Sequence, residues 1–142
     1  MILGSNKKGQ SLVEVVVVIG MVVLLVGGLI VGTTSSLRSS EHGKMRSQSV
    51  KYAQEGVEYA RDLRNFSWEE FQAKTGVWCL DKEGVLIESQ SSICPVNIDN
   101  VLTRSLTFAW SDPRMTVTVV VSWNDGSGDH ASTLTTYFTK WQ

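Results

Sequence analysis

Proline, cysteine and histidine each occur only twice in 142 residues, and each scarcity closes off a class of chemistry. Cys79 and Cys94 have no histidine and no second cysteine pair near them in sequence, so they do not make a zinc ligand set. Outside the cytoplasm two such thiols most simply form one disulfide, and two reduced thiols are the alternative. A disulfide closing so short a loop contributes about 3 kcal/mol by loop-closure entropy. His42 sits among serines and glutamates and His130 beside a turn, and nearness in sequence to Ser and Asp identifies no catalytic triad. There is no paired-carboxylate motif, no phosphate-binding loop and no metal-ligand spacing. The chain therefore reads as a non-enzyme without a cofactor; an anchored hydrolase would require both histidines to converge with acids or serines in a folded pocket. A basic surplus is missing too. Net charge is −1, with no long run of like charge, so nucleic-acid binding has no general electrostatic support.

Charge is absent altogether from the 23 residues Val15 to Leu37. As a helix this run covers about 35 Å, against a hydrocarbon core of about 30 Å. Its valines suit a buried strand, but strands stop at about 4–8 residues, so length selects a membrane-spanning helix. Gly28 and Gly32 form a small-xxx-small pair, read either as ordinary membrane-helix glycines or as a place for close helix packing. Lys7 and Lys8 precede the run, which places the N-terminus inside and residues after about 37 outside. A cleaved secretory signal is the competitor, but it needs a shorter apolar core and a small-x-small site, which Val31-Gly32-Thr33 fits poorly. Glu14 stands at the start of the run. A bare carboxylate in lipid costs roughly 2.5–3.5 kcal/mol at a helix centre and less near an end, so Glu14 marks a function, with a snorkelling glutamate as the bland reading.

Lys8-Gly9-Gln10-Ser11-Leu12-Val13-Glu14 followed by an apolar helix resembles the type IV prepilin signature. The stretch Tyr52 to Arg64 resembles the corresponding helix of minor pilins and type II secretion minor pseudopilins, so the likeness covers about residues 6–66. It implies cleavage by a prepilin peptidase between Gly9 and Gln10, N-methylation of Gln10, and a filament-register role for Glu14, the fifth residue of the trimmed chain. Gln10 stands where the family most often has Phe, and the helix lacks the proline common in major pilins. The implied partners are other pilin or pseudopilin subunits and an inner-membrane assembly platform. The implied location is the cytoplasmic membrane before assembly and a periplasmic or extracellular filament after it. Elementary chemistry agrees: trimming exposes an α-amine with a pKa near 8, and residues 10 and 14 share one helix face. Two readings compete. One is a TadE-like pilus-associated protein, which opens with Gly-Gln and a nearby glutamate but fits the downstream helix less well. The other is an uncleaved, membrane-anchored extracytoplasmic binding module.

The resulting organisation is a leader over 1–9, a transmembrane assembly helix over 10–37, an amphipathic continuation over 38–66 and a β-rich domain over 67–142. Without the leader the chain holds 11 basic and 14 acidic side chains, a net charge of −3. Met45, Ala53, Val57, Ala60 and Leu63 recur in helical steps, supported by Lys51–Glu55 and Glu58–Arg61 pairs. The Ser-, Thr- and Gly-rich stretch 33–43 is expected to weaken the helix. Ser67-Trp68-Glu69-Glu70 reads as a capping box opening a short helix that stops at Gly76. Strands are predicted around 85–87, 105–110, 115–123 and 133–141, with a hairpin at Asp112-Pro113. The expected fold class is α+β: a long N-terminal helix packed on a small antiparallel sheet of three or four strands. Two features invite sharper readings. Asn124 to Asp129 offers Asp125 and Asp129 as a weak Ca²⁺ candidate, although EF-hand spacing is missing and a glycine-rich hairpin explains it more simply. Five tryptophans suit either sheet packing or an adhesive aromatic cluster.

Overall fold

The computed structural model of the chain describes residues 7–140, with side chains from Leu12 onward. The Gln10 side chain, and Trp141, the expected end of the closing strand, lie outside what is described. Helix α1 runs Lys7–Phe66 and α2 Trp68–Ala73; five strands follow, β1 Gly76–Leu80, β2 Leu86–Glu88, β3 Leu102–Ser111, β4 Arg114–Asn124 and β5 Asp129–Thr139. The chain divides into two compact units between Glu41 and His42.

The first unit is helical. Its large apolar side chains from Leu12 to Leu37 are 48–77 % exposed, so no stripe of them is buried within this unit among the described residues. A helix apolar all round needs a non-aqueous or protein environment. This one is long and apolar enough to cross a membrane. A Cβ placed on Gly20, Gly27, Gly28 or Gly32 meets nothing within 4 Å. The Ser- and Thr-rich stretch remains helical, contrary to the expected weakening. Two of its hydroxyls bond back into the helix: Thr33 Oγ1 donates to the carbonyls of Leu29 and Ile30 at 3.0 Å, and Thr34 Oγ1 to Ile30 at 2.9 Å.

The second unit packs the rest of α1 on an antiparallel sheet of order β2-β1-β3-β4-β5. The sheet has five strands rather than three or four, because Gly76–Leu80 adds an inner strand too short to show a clear alternation. β3 and β4 alternate strictly: Leu102, Leu106 and Phe108, with Met115, Val117, Val119, Val121 and Trp123, face the helix and are buried. The other face is mostly Thr and Ser, with Ala109 and Val120 among them. The β3–β4 hairpin turns at Asp112-Pro113 as expected, with a cis peptide there. β5 begins at Asp129, earlier than predicted, since His130, Ala131 and Ser132 carry no apolar signal. Phe71 of α2 closes one end of the core, its ring meeting Phe108 and Phe138 edge-on at 5.9 and 5.4 Å. The four tryptophans among the described residues follow the packing reading: Trp123 is buried, and Trp68, Trp78 and Trp110 pack against the core.

Local signals held with two changes. Ser67 caps α2 by accepting from Glu70 N–H at 3.3 Å, but its own N–H bonds the Leu63 carbonyl, so the reciprocal arm of the capping box is unused. Lys74 ends α2, and Gly76, at φ +77°, opens β1 instead of stopping the helix. The helical ion pairs Lys51–Glu55 (3.8 Å) and Arg61–Glu58 (2.7 Å) form. Cys79 and Cys94 are joined in a disulfide, which fastens the long loop before β3 to the sheet. In that loop the Asn97 side chain accepts from Arg104 N–H at 2.8 Å and donates to the Arg104 carbonyl at 3.0 Å, doing the work of a neighbouring strand.

The buried face of α1 is made of small residues: Ser49, Ala53, Gly56 and Ala60, with Val57, expected in the core, only half-buried. A Cβ on Gly56 would lie 2.8 Å from Val119 Cγ1. Val119 is β-branched and buried between β3 and β5, so it cannot turn aside cheaply. Replacing Gly by Ala in a helix ordinarily gains roughly 0.5–1 kcal/mol; overpacking costs about 1–3 kcal/mol. Gly56→Ala should therefore destabilise the second unit by about 1 kcal/mol in urea titrations of the full chain in mild detergent. The double substitution with Val119→Ala should show a favourable coupling, because the second change removes the methyl that the first one strikes.

Candidate functional site

Two places are candidates for a functional role, one in each unit. In the first, Glu14 is exposed on α1, one turn beyond Gln10, and has no ion-pair partner among the described residues. The i,i+4 spacing puts both positions on one helix face, as the sequence requires. The proposed cleavage junction Gly9–Gln10 lies in the helical span, the Gln10 side chain being outside the described ones.

The second place is assembled from three elements of the second unit. His42 comes from α1, Trp123 and Asp125 from the end of β4 and its turn, and His130 from β5, directly opposite Trp123 in the sheet. Asp125 Oδ2 lies 3.0 Å from His42 Nδ1 and 3.1 Å from His130 Nε2. The first contact is a hydrogen bond; the second has the distance but not the angle, and it leaves His130 Nε2 buried without a hydrogen-bond partner. The His130 ring stacks on the Trp123 indole at 5.4 Å, and the two imidazoles meet edge to face at 4.7 Å. Trp123 Nε1 is the other buried side-chain nitrogen without a partner among the described residues. Both unsatisfied buried side-chain atoms found among the described residues thus belong to this cluster, where a buried polar group without a partner costs about 1–3 kcal/mol.

The turn explains how Asp125 is aimed. Gly126 and Gly128 have φ of +81° and +158°, so the chain can fold back within four residues. Asp125 Oδ1 accepts from Ser127 Oγ at 2.6 Å and Ser127 N–H at 3.0 Å, while Asn124 Oδ1 accepts from Gly126 N–H at 2.8 Å. With Oδ1 occupied, Oδ2 faces the imidazoles. The Ser127 hydroxyl, then His42 and the Ser127 amide, hold the Asp125 carboxyl well below the usual carboxylate range.

The weak Ca²⁺ candidate changes character. Asp129 is not part of the cluster; its Oδ1 accepts from Asn124 Nδ2 at 2.7 Å and closes the turn. Asp125 is joined instead by two imidazoles, a nitrogen-bearing set foreign to the all-oxygen shell of Ca²⁺. The histidines do converge with an acid. The hydroxyl in this cluster, that of Ser127, is bonded to the carboxylate rather than to an imidazole, which is not a nucleophile–base pairing. Sequence reasoning set both histidines aside. The signal was present: His42, itself exposed, falls three residues before the half-buried Met45 and continues the spacing of the helix stripe that faces the sheet, and His130 continues the inward alternation of Ser132 and Leu134.

Asp125 gives a direct test. Ser127→Ala removes the largest support for its ionised form and should raise its pKa toward the ordinary value near 4, read by carboxyl carbon NMR titration. A depressed folded-state pKa contributes stability that is present above the unfolded value and lost as pH falls through the folded one. The unmodified turn should therefore lose this contribution progressively as pH falls below about 4, and the variant, with less of it to lose, should finish losing it at a less acidic pH. Comparison of the chain with family models, with curated proteins and with solved structures found no match.

Proposed function

We propose that this chain is a minor pilin or pseudopilin subunit: inserted with its N-terminus inside, trimmed between Gly9 and Gln10 by a prepilin peptidase, and drawn by α1 into a filament of related subunits. The observation that carries the reading is the charge pattern of α1. From Gly9 to Leu37 the only charge is Glu14, four residues after the amine that trimming would expose. That amine, largely cationic at neutral pH, is the natural partner for a carboxylate in an apolar setting. A charge pair of this kind is favourable chiefly against leaving one member alone, so it specifies register more than it adds stability. The uncovered apolar surface of α1 and its unfilled glycine positions suit a helix that leaves lipid for a bundle of other helices. The antiparallel sheet packed on the continuation of the same helix supports the reading at the level of fold class.

Co-expression with a prepilin peptidase should give a chain that begins at Gln10 and has lost the mass of residues 1–9. Only full-length chains from cells with active peptidase would leave the uncleaved, membrane-anchored binding module as the better account. In cells that assemble the filament, Glu14→Ala should still be trimmed, yet its incorporation should fall at least about tenfold, equivalent to about 1.4 kcal/mol.

A further inference from the structure

We propose that His42 Nδ1, Asp125 Oδ2 and His130 Nε2 form a three-ligand site for a divalent transition metal of the zinc class. The site goes beyond the filament reading and does not depend on it, since every ligand lies in the second unit and trimming at Gly9 touches none of them.

The three ligand atoms lie within 4.8 Å of one another, and the carboxylate oxygen is 3.0 and 3.1 Å from the two nitrogens. Metal–ligand lengths of about 2.0–2.2 Å are reached from these positions by side-chain shifts of about half an ångström. Two imidazoles and one carboxylate suit zinc, cobalt or nickel and disfavour calcium and magnesium, which take oxygen. His130 Nε2 is the second indication: this buried ring nitrogen lies 3.1 Å from Asp125 Oδ2 without a hydrogen bond to it, while the same oxygen is hydrogen-bonded to His42 Nδ1, and a cation among the three atoms would satisfy the unpaired nitrogen. The surroundings do what outer groups do at metal sites. Ser127 holds Oδ1, so Asp125 presents Oδ2 alone, and the Trp123 indole backs the His130 ring and fixes its plane. On binding, the metal takes the place of the proton between His42 Nδ1 and Asp125 Oδ2, and that proton leaves to solvent. The side chains of His42 and Asp125 are 44 % and 23 % exposed, so a fourth position is open to water or to a donor from another molecule. The ligands come from α1, from the β4–β5 turn and from β5, so bound metal ties the helix to that edge of the sheet.

The test uses tag-free full-length chain in mild detergent, stripped with chelator, because the two native histidines must be the only ones present. Titration with Co²⁺ should give saturable 1:1 binding with visible d–d bands that Zn²⁺ abolishes and Ca²⁺ does not. His42→Gln, His130→Gln and Asp125→Asn should each weaken binding at least about tenfold. Imidazole nitrogen NMR with Zn²⁺ should show His42 coordinated through Nδ1 and His130 through Nε2, a pairing specific to this geometry and readable without any variant. Absence of 1:1 binding at about 100 µM Co²⁺, retention of binding when both histidines are replaced, or coordination through the opposite ring nitrogens would each overturn the site.

Discussion

The near-contact of the Gly56 backbone with Val119 sets how deeply α1 lies on the sheet, and much of the second unit follows from that depth. Small side chains at Ser49, Ala53 and Ala60 extend the close approach along the helix. Larger residues there would lift the helix away from β4 and open the space that Val117, Val119 and Val121 fill. The glycine's conformational freedom is not what matters, since Gly56 is an ordinary helical residue; its missing Cβ is. Such a position is a compromise in which poor helix propensity is accepted for dense packing.

The same depth brings the backbone of α1 within reach of a buried cation. Arg104, on β3, is 3 % exposed. Its Nε donates to the Leu80 carbonyl and its Nη1 to the Tyr52 carbonyl, each at 3.1 Å, and Nη2 donates to the Asp81 carbonyl. Glu55 Oε2, half-exposed, supplies the counter-charge at 3.5 Å. Burial pushes the guanidinium below its usual value and Glu55 opposes that shift, but an arginine starts so high that it stays charged. Three carbonyls from α1, β1 and the turn after it thus share one donor fork. This satisfies the charge through hydrogen bonds more than through the ion pair, the condition under which a buried cation is tolerated.

Apolar alternation made the strongest strands legible: Met115 to Trp123 stood out because every second residue was large and apolar, and the Asp112-Pro113 break supplied the hairpin. The membrane-length run and the α+β layout were legible for the same reason, since length and periodicity survive without knowledge of contacts. β1 was not, because five residues containing Gly, Trp and Cys carry too little alternation to distinguish a strand from a loop. Ser49 and Gly56 were passed over because a search for apolar residues skips positions where small size, rather than hydrophobicity, is required. Arg104 interrupts the apolar face of β3 and looks like a surface residue until Leu80, Asp81 and Tyr52 offer their carbonyls.

The histidine cluster escaped for a reason that lies in the gradient of the helix–sheet interface. Along the sheet-facing side of α1 the residues run Leu63, Ala60, Gly56, Ala53, Ser49, Met45 and, exposed at its end, His42, apolar at one end and mostly polar at the other. Along the inward face of β5 they run Phe138, Thr136, Leu134, Ser132, His130, with the same sense. Midway the gradients meet as a hydrogen bond, 2.7 Å between Ser49 Oγ and Ser132 Oγ; since Ser49 gives its proton to the Arg46 carbonyl, Ser132 is the donor. At the far end they meet as two imidazoles on one carboxylate. A periodicity count that scores only hydrophobic residues stops where each gradient turns polar. Continuing the same stripe in register past that point brings two residues 88 positions apart in sequence to one place, and their identity as histidines then turns a packing pattern into a chemical one.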